Sequence, residues 1–167
     1  MADIEYIETD EQGLDLTCVL REKLITHHKV HSPGYFYKRY EKMPPANERN
    51  KELLEKFAKG KIRVELARNK ETEELGGYCI RTISADKEGE IQSIFPETEY
   101  RRCGIGDRFM KKALSWMNEN SVVKIILAVG AGNEEVFDFY RKYVFYPRTT
   151  ILEQVETEAK DSTNRRE

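Results

Sequence analysis

The stretch Glu90-Ile91-Gln92-Ser93-Ile94-Phe95-Pro96-Glu97-Thr98-Glu99-Tyr100-Arg101-Arg102-Cys103-Gly104-Ile105-Gly106 decides how this 167-residue chain is read. Its first third has strand character, with Glu90, Gln92 and Ile94 alternating onto one face. Its last third carries two glycines one residue apart. Residues 107–118 then place Phe109, Met110, Ala113, Leu114 and Met117 on one helical face. A strand therefore runs through a glycine-rich turn into a helix. Glycines let the backbone approach a ligand closely, and the helix start aims unpaired N–H groups at it. The partial positive charge at that end suits a phosphate or pyrophosphate. A Walker loop needs Gly-Lys-Ser/Thr, but Gly106 is followed by Asp107-Arg108. A dinucleotide fingerprint wants Gly or Ala at the position held by Phe109.

Upstream, residues 61–67 alternate strictly, and 75–84 and 90–95 follow across the short charged connections 68–74 and 86–89. Such connections predict an antiparallel meander of three strands. Before it, residues 3–8 read as a short strand. Residues 14–30 read as a helix with Leu16, Val19, Leu20, Leu24 and Ile25 at helical spacing, stopped by Ser32-Pro33-Gly34. A second helix fits 46–59, with Leu53, Leu54 and Phe57 as its stripe and Gly60 as its stop. Downstream, 122–129 is nearly all apolar, the pattern of a strand buried on both faces. Gly130-Ala131-Gly132-Asn133 turns into a helix over 134–143, and 147–155 reads as a last strand. No repeat or linker divides residues 1–155, which read as one domain; 156–167 reads as a charged, flexible tail.

Composition excludes several classes. Lys and Arg number 28 against 30 Asp and Glu, a net charge of −2, so the basic surplus of a nucleic-acid binder is missing. No apolar run approaches the ~20 residues of a membrane span, and the acidic first twenty residues do not resemble a secretory signal. Three cysteines (Cys18, Cys79, Cys103) without a C-x-x-C pair fit a reducing cytoplasm, not a disulfide framework or zinc knuckle. His27, His28 and His31 lack the supporting cluster of a metal site, so no metal is expected.

Arg101-x-x-Gly104-x-Gly106 matches the Gln/Arg-x-x-Gly-x-Gly/Ala pyrophosphate loop of the GNAT superfamily of N-acetyltransferases. The uninterrupted segment 90–106 resembles that family's fourth strand and loop. Asn133-Glu134-Glu135-Val136-Phe137-Asp138-Phe139-Tyr140 is similar to its Asn-x-x-Ala…Phe-Tyr helix, and Phe145-Tyr146-Pro147 to its closing Gly-Phe-x-Pro. The order of elements agrees over nearly the whole chain. The resemblance implies an α/β (α+β) fold: a mixed, mostly antiparallel sheet of about six to seven strands, splayed between the fourth and fifth, with helices on both faces. It implies acetyl-CoA as acetyl donor and an amine acceptor, small molecule or protein, and leaves a homodimer open. Arg101 opens the motif. The N–H groups of Arg102, Cys103, Gly104, Ile105, Gly106 and Asp107 would take the pyrophosphate, and the backbone of Ile94, Phe95 and Pro96 the pantetheine arm. Asn133 would face that arm, and Tyr140 would act as general acid beside the sulfur.

Glu90 stands where some family members carry a general base, while Gln92, at the other such position, cannot accept a proton. Each role has a plainer counterpart: a helix cap for Asn133, a packing aromatic for Tyr140, a solvated carboxylate for Glu90, a filler for Cys103. Departures from the pattern are Pro96, which lacks an N–H, Val136 for Ala, and Val144 for a helix-ending glycine. A β-branched residue disfavours positive φ, so another turn type is expected at Val144. The region before residue 61 would cover the acceptor and offers His27, His28, His31, Ser32, Tyr35, Tyr37 and Tyr40 for cation–π or hydrogen-bond contacts, or as ordinary packing. The function expected is an acetyl-CoA-dependent N-acetyltransferase. The alternative is a CoA-binding sensor or interaction module on the same fold.

Overall fold

A computed structural model of the chain describes residues 2–155; the tail expected at 156–167 lies outside them. Strands β1 (Ile4–Thr9), β2 (Lys61–Asn69), β3 (Leu75–Ile83), β4 (Glu88–Pro96) and β5 (Lys124–Leu127) form one sheet in sequence order. The first four are antiparallel neighbours, and β5 runs parallel to β4. Helices α1 (Cys18–His31), α2 (Tyr37–Glu41) and α3 (Ala46–Lys56) precede β2. Helix α4 (Ile105–Glu119) joins β4 to β5, and the short α5 (Phe137–Arg141) follows β5. The sheet is mixed and mostly antiparallel, with five strands among the described residues where about six to seven were expected.

Each face of the sheet has its own core. Leu14, Leu20, Phe57, Ile62, Val64, Leu66, Tyr78 and Ile80 pack between the sheet and the α1–α3 layer. Cys79, Ile83, Ile91, Phe109, Met110, Ala113 and Met117 pack between the sheet and α4. Of the stripe expected for α4, Phe109, Met110, Ala113 and Met117 are buried; Leu114 is only half-buried, and Trp116 joins the buried face. Of the stripe expected over 14–30 only part faces inward: Leu20 is buried, whereas Leu16 and Val19 are 58 % and 71 % exposed. The chain over Glu11–Thr17 is a 3-10 helix, whose tighter turn takes Leu16 out of the α-helical register, and Val19 lies in the first turn of α1.

Further expectations are corrected. The register between β3 and β4 shifts so that Ile80 pairs with Ser93 and Arg81 with Ile91, leaving Gln92 as an extra residue. This bulge breaks the alternation expected for Glu90, Gln92 and Ile94. Gln92 Nε2 bonds Thr82 Oγ1 and Glu90 Oε2 on the face toward the α1–α3 layer, while Ile94 packs against the α4 core. Second, the strand expected over 122–129 and buried on both faces is the four-residue edge strand β5, with Val123 77 % and Ile126 41 % exposed. Third, residues 147–155 form no strand that could cover it; Ile151 and Leu152 are exposed, and Arg39 binds Glu153. The helix expected over 134–143 is shorter, a 3-10 turn followed by α5.

Val144, against expectation, does adopt a left-handed conformation, φ 65°. Its N–H bonds Arg141 O (3.0 Å) and the Phe145 N–H bonds Tyr140 O (3.2 Å). This is the paired-bond stop in which glycine normally occupies the left-handed position. A β-branched residue costs roughly 1–2 kcal/mol there, and the exposed Val144 side chain recovers little by packing. Val144→Gly is expected to raise stability by about 0.5–1 kcal/mol, the gain being trimmed by the extra freedom of glycine in the unfolded chain. A higher urea midpoint at unchanged m-value would show it.

Candidate active site

Pairing between β4 and β5 ends at Ile91–Leu127, yet β4 continues to Pro96. The two strands part there, and a cavity of ≈ 470 Å³ opens in the gap. One edge is β4 from Ile91 to Pro96, and the other is Leu127, Ala128, Val129 and Gly130. Glu97 donates its N–H to Gly76 O (2.8 Å). By strand alternation Phe95 also points its N–H to β3, and Ile94 and Pro96 face the gap. Since Pro96 has no N–H, Ile94 is the donor on that edge.

The end of the cavity is the glycine-rich turn. Arg102 (φ 68°) and Gly104 (φ 77°) are both left-handed, which swings the chain into α4 with Gly104 as N-cap. Arg101, Arg102, Gly104, Ile105, Gly106 and Asp107 all line the cavity. A Cβ built on Gly104 meets nothing within 4 Å, so open space adjoins the helix start. The first-turn N–H groups of α4 have no intrahelical acceptors, and with two arginines beside them they make an anion cradle. Cys103 is the exception among the residues expected here. It does not line the cavity, and its N–H is taken by Tyr100 O (3.3 Å). Asp107 adds a negative charge at this end, but the Tyr143 hydroxyl donates to its carboxylate.

Tyr140 and Phe139 close the α4 side. The Tyr140 hydroxyl has no hydrogen-bond partner among the described residues. Burial, with a smaller contribution from neighbouring Cys79, pushes its phenol up to about 12. Asn133 also lines the cavity, and its side chain caps no helix. Across the gap, Leu24, His27 and His28 line the cavity from α1. They stand at i, i+3 and i+4, one face of the helix. Ser93 and Gln92 continue this wall, Ser93 being bonded to the Tyr78 hydroxyl (2.7 Å). Glu90 is not on the lining. Its Oε2 accepts from Gln92 Nε2 (2.8 Å) and lies 3.8 Å from Lys56 Nζ. Among the described residues, no three His, Cys, Asp or Glu are grouped to hold a metal ion, and no helix is long and apolar enough to cross a membrane.

The model of the acetyltransferase (GNAT) family matches residues 28–145, from the end of α1 through the turn after α5. The chain belongs to the GNAT acetyltransferase family. Among solved structures, a Pyrococcus furiosus protein assigned to the acetyl transferases is 26 % identical, with 90 % of this chain and 99 % of that one covered and a TM-score of 0.63. A GCN5-related N-acetyltransferase from Ralstonia eutropha aligns at TM-score 0.69 and 17 % identity over 92 % and 99 % of the two chains. An aminoglycoside acetyltransferase from an uncultured soil metagenomic sample, in complex with sisomicin, aligns at 0.60 and 13 % over 92 % and 95 %. At those identities the last two speak for the fold alone. No curated protein matches the sequence. The parted β4–β5 edges and the α4 start form one side of the cavity, and the α1 wall forms the other. The histidines of that wall were visible in the sequence as residue types, but nothing in their spacing distinguished His28 from its neighbours.

Proposed function

We propose that this GNAT protein transfers the acetyl group of acetyl-CoA to the nitrogen of a primary amine in a ternary complex. The observation that carries this reading is one cavity with two unlike walls: an anion cradle and a buried phenol on the α4 side, and an imidazole-bearing wall on α1. Acetyl-CoA fits the first wall by its chemistry. Its pyrophosphate would take the first-turn N–H groups of α4 with Arg101 and Arg102, and its thioester oxygen the Ile94 N–H. When bound it supplies an activated acetyl group. The second wall leaves room for an amine to meet the acetyl carbon at the ~3–3.5 Å that attack requires.

Two proton movements fall to the protein. At pH 7 an amine with pKa near 10 must first lose a proton, at a cost of about 4–5 kcal/mol. Tyr140 would give a proton to the sulfur as it leaves with the electrons of the C–S bond. Glu90, the base suggested by its place in the sequence, would act only through water alongside Gln92. The test is release of free thiol from acetyl-CoA with a panel of primary amines: an aminoglycoside, a polyamine, a free amino acid and a lysine peptide. Saturable, amine-dependent release with one of them is expected. Tight acetyl-CoA binding by calorimetry without amine-dependent release across the panel would favour the sensor.

A further inference from the structure

The amine-transfer reading leaves open which group first takes the acceptor's proton, and we propose that it is His28. The inference rests on that reading and concerns its acceptor half. His28 lines from α1 the same cavity that Tyr140, Gln92 and Ser93 line. Its ring stacks on Tyr40 of α2 at 6.0 Å between centroids and 24° between planes, which holds its orientation. The Tyr40 hydroxyl lies close to Gly130 at the cavity rim, 3.2 Å from where a Cβ on that glycine would stand. No hydrogen bond to either ring nitrogen of His28 occurs among the described residues, so a lone pair is open to a ligand.

The other basic groups on this wall are committed elsewhere. His27 lies near Arg101, Glu135 and Asn133, whose charges and dipoles act on its ring. Its ring packs on His31 at 4.1 Å, and His31 Nδ1 is 2.8 Å from His27 O. Glu90 sits behind Gln92 with Lys56. The groups facing His28 are His27 and His31 on its own helix and Tyr40 from α2. Burial first, and then the two neighbouring imidazoles, hold its pKa below the ordinary histidine value, so the ring is neutral at pH 7. A neutral imidazole can accept; a charged one could not.

The step balances. A ring nitrogen of His28 takes one proton from the ammonium, leaving imidazolium and a free amine. The amine lone pair then forms the C–N bond as the C–S bond breaks. The nitrogen's second proton passes to water in the cavity as the sulfur gains one from Tyr140, and Tyr140 recovers its proton from solvent. The imidazolium releases the first proton to water at the cavity mouth, so one proton leaves overall.

His28→Gln keeps a polar side chain of similar reach but accepts no proton. With wild-type turnover of an amine established, kcat/KM of this variant at pH 7 is expected to fall by about 10²-fold, while acetyl-CoA affinity by calorimetry is unchanged. The low-pH limb of the wild-type profile should disappear, and the deficit should shrink as pH rises and the amine arrives already deprotonated. In His28→Ala, added imidazole should restore part of the lost rate. A His28→Gln profile that superimposes on wild type overturns the assignment. So does a uniform loss with no change of pH limb and no imidazole rescue. A Glu90→Gln variant that loses the limb while His28→Gln keeps it overturns it too. None of these results touches the acetyl-transfer reading, which stands on wild-type turnover alone.

Discussion

Tyr140→Phe is expected to lower kcat by about 10²–10⁴-fold while acetyl-CoA affinity stays within a few-fold of wild type. The substitution removes one oxygen from a ring already packed by Phe139 and Phe145, so the fold has little reason to change. Burial holds the phenol near 12, which keeps it protonated throughout the working range. Against an ordinary thiol near 8.5, proton transfer from such a phenol is uphill by about 5 kcal/mol. The thiolate, however, forms in the same buried cavity, where desolvation raises its own proton affinity and narrows that gap. The acid is thus matched to a leaving group generated on the spot. Steady-state kinetics with the best amine, alongside calorimetry, checks it. Full turnover in the phenylalanine variant would leave Tyr140 as a packing residue.

The second large effect concerns the donor. Gly104→Asp should weaken acetyl-CoA binding by on the order of 10²-fold with the domain still folded. Gly104 has φ 77°, and a Cβ there meets open space at the helix start. Aspartate is among the few side chains that enter the left-handed region at modest cost, and a negative charge at a helix N-terminus is itself favourable. The new carboxylate would occupy the place assigned to a pyrophosphate. One pair of like charges at about 4 Å costs roughly 1–4 kcal/mol between bulk water and a partly shielded site. Gly104→Asn supplies similar bulk without charge and should lose less. A valine would be a poorer probe, since its branched side chain at this φ would strain the helix start. Wild-type affinity in a folded Gly104→Asp protein would place the pyrophosphate elsewhere.

The loop was legible in the sequence because its chemistry is local. Gly104 and Gly106 stand next to a helix whose stripe of Phe109, Met110, Ala113 and Met117 is complete within the segment, and the structure buries those side chains. The helix start is fixed by those residues alone. The meander was legible for the same reason, since strict alternation and short charged turns set the antiparallel pairing of β2, β3 and β4 without help from distant residues.

What the sequence by itself determined is therefore the family, the run of main elements from β1 to α5 and the glycine-rich turn from β4 into α4, all carried by contiguous residues. The tertiary structure decided which side chains meet. The bulge at Gln92 reverses the face of Ile94, so Glu90 cannot be placed by counting along the strand. Glu65 and Arg81, 1 % and 0 % exposed, look like surface charges in alternating strands. They are buried because α4 covers that face, where they pair at 3.2 Å, with Glu8 and Arg108 completing the network. Val122–Val129 reads as a doubly buried strand from its apolar content, yet burial depends on a neighbour that residues 147–155 do not supply. His28 and Tyr140 line one cavity only because the fold brings α1 and α5 to the gap where β4 and β5 part. Apolar period and turn chemistry are short-range properties of a chain; burial, charge pairing and the meeting of acid and base across a cavity depend on residues far apart in sequence.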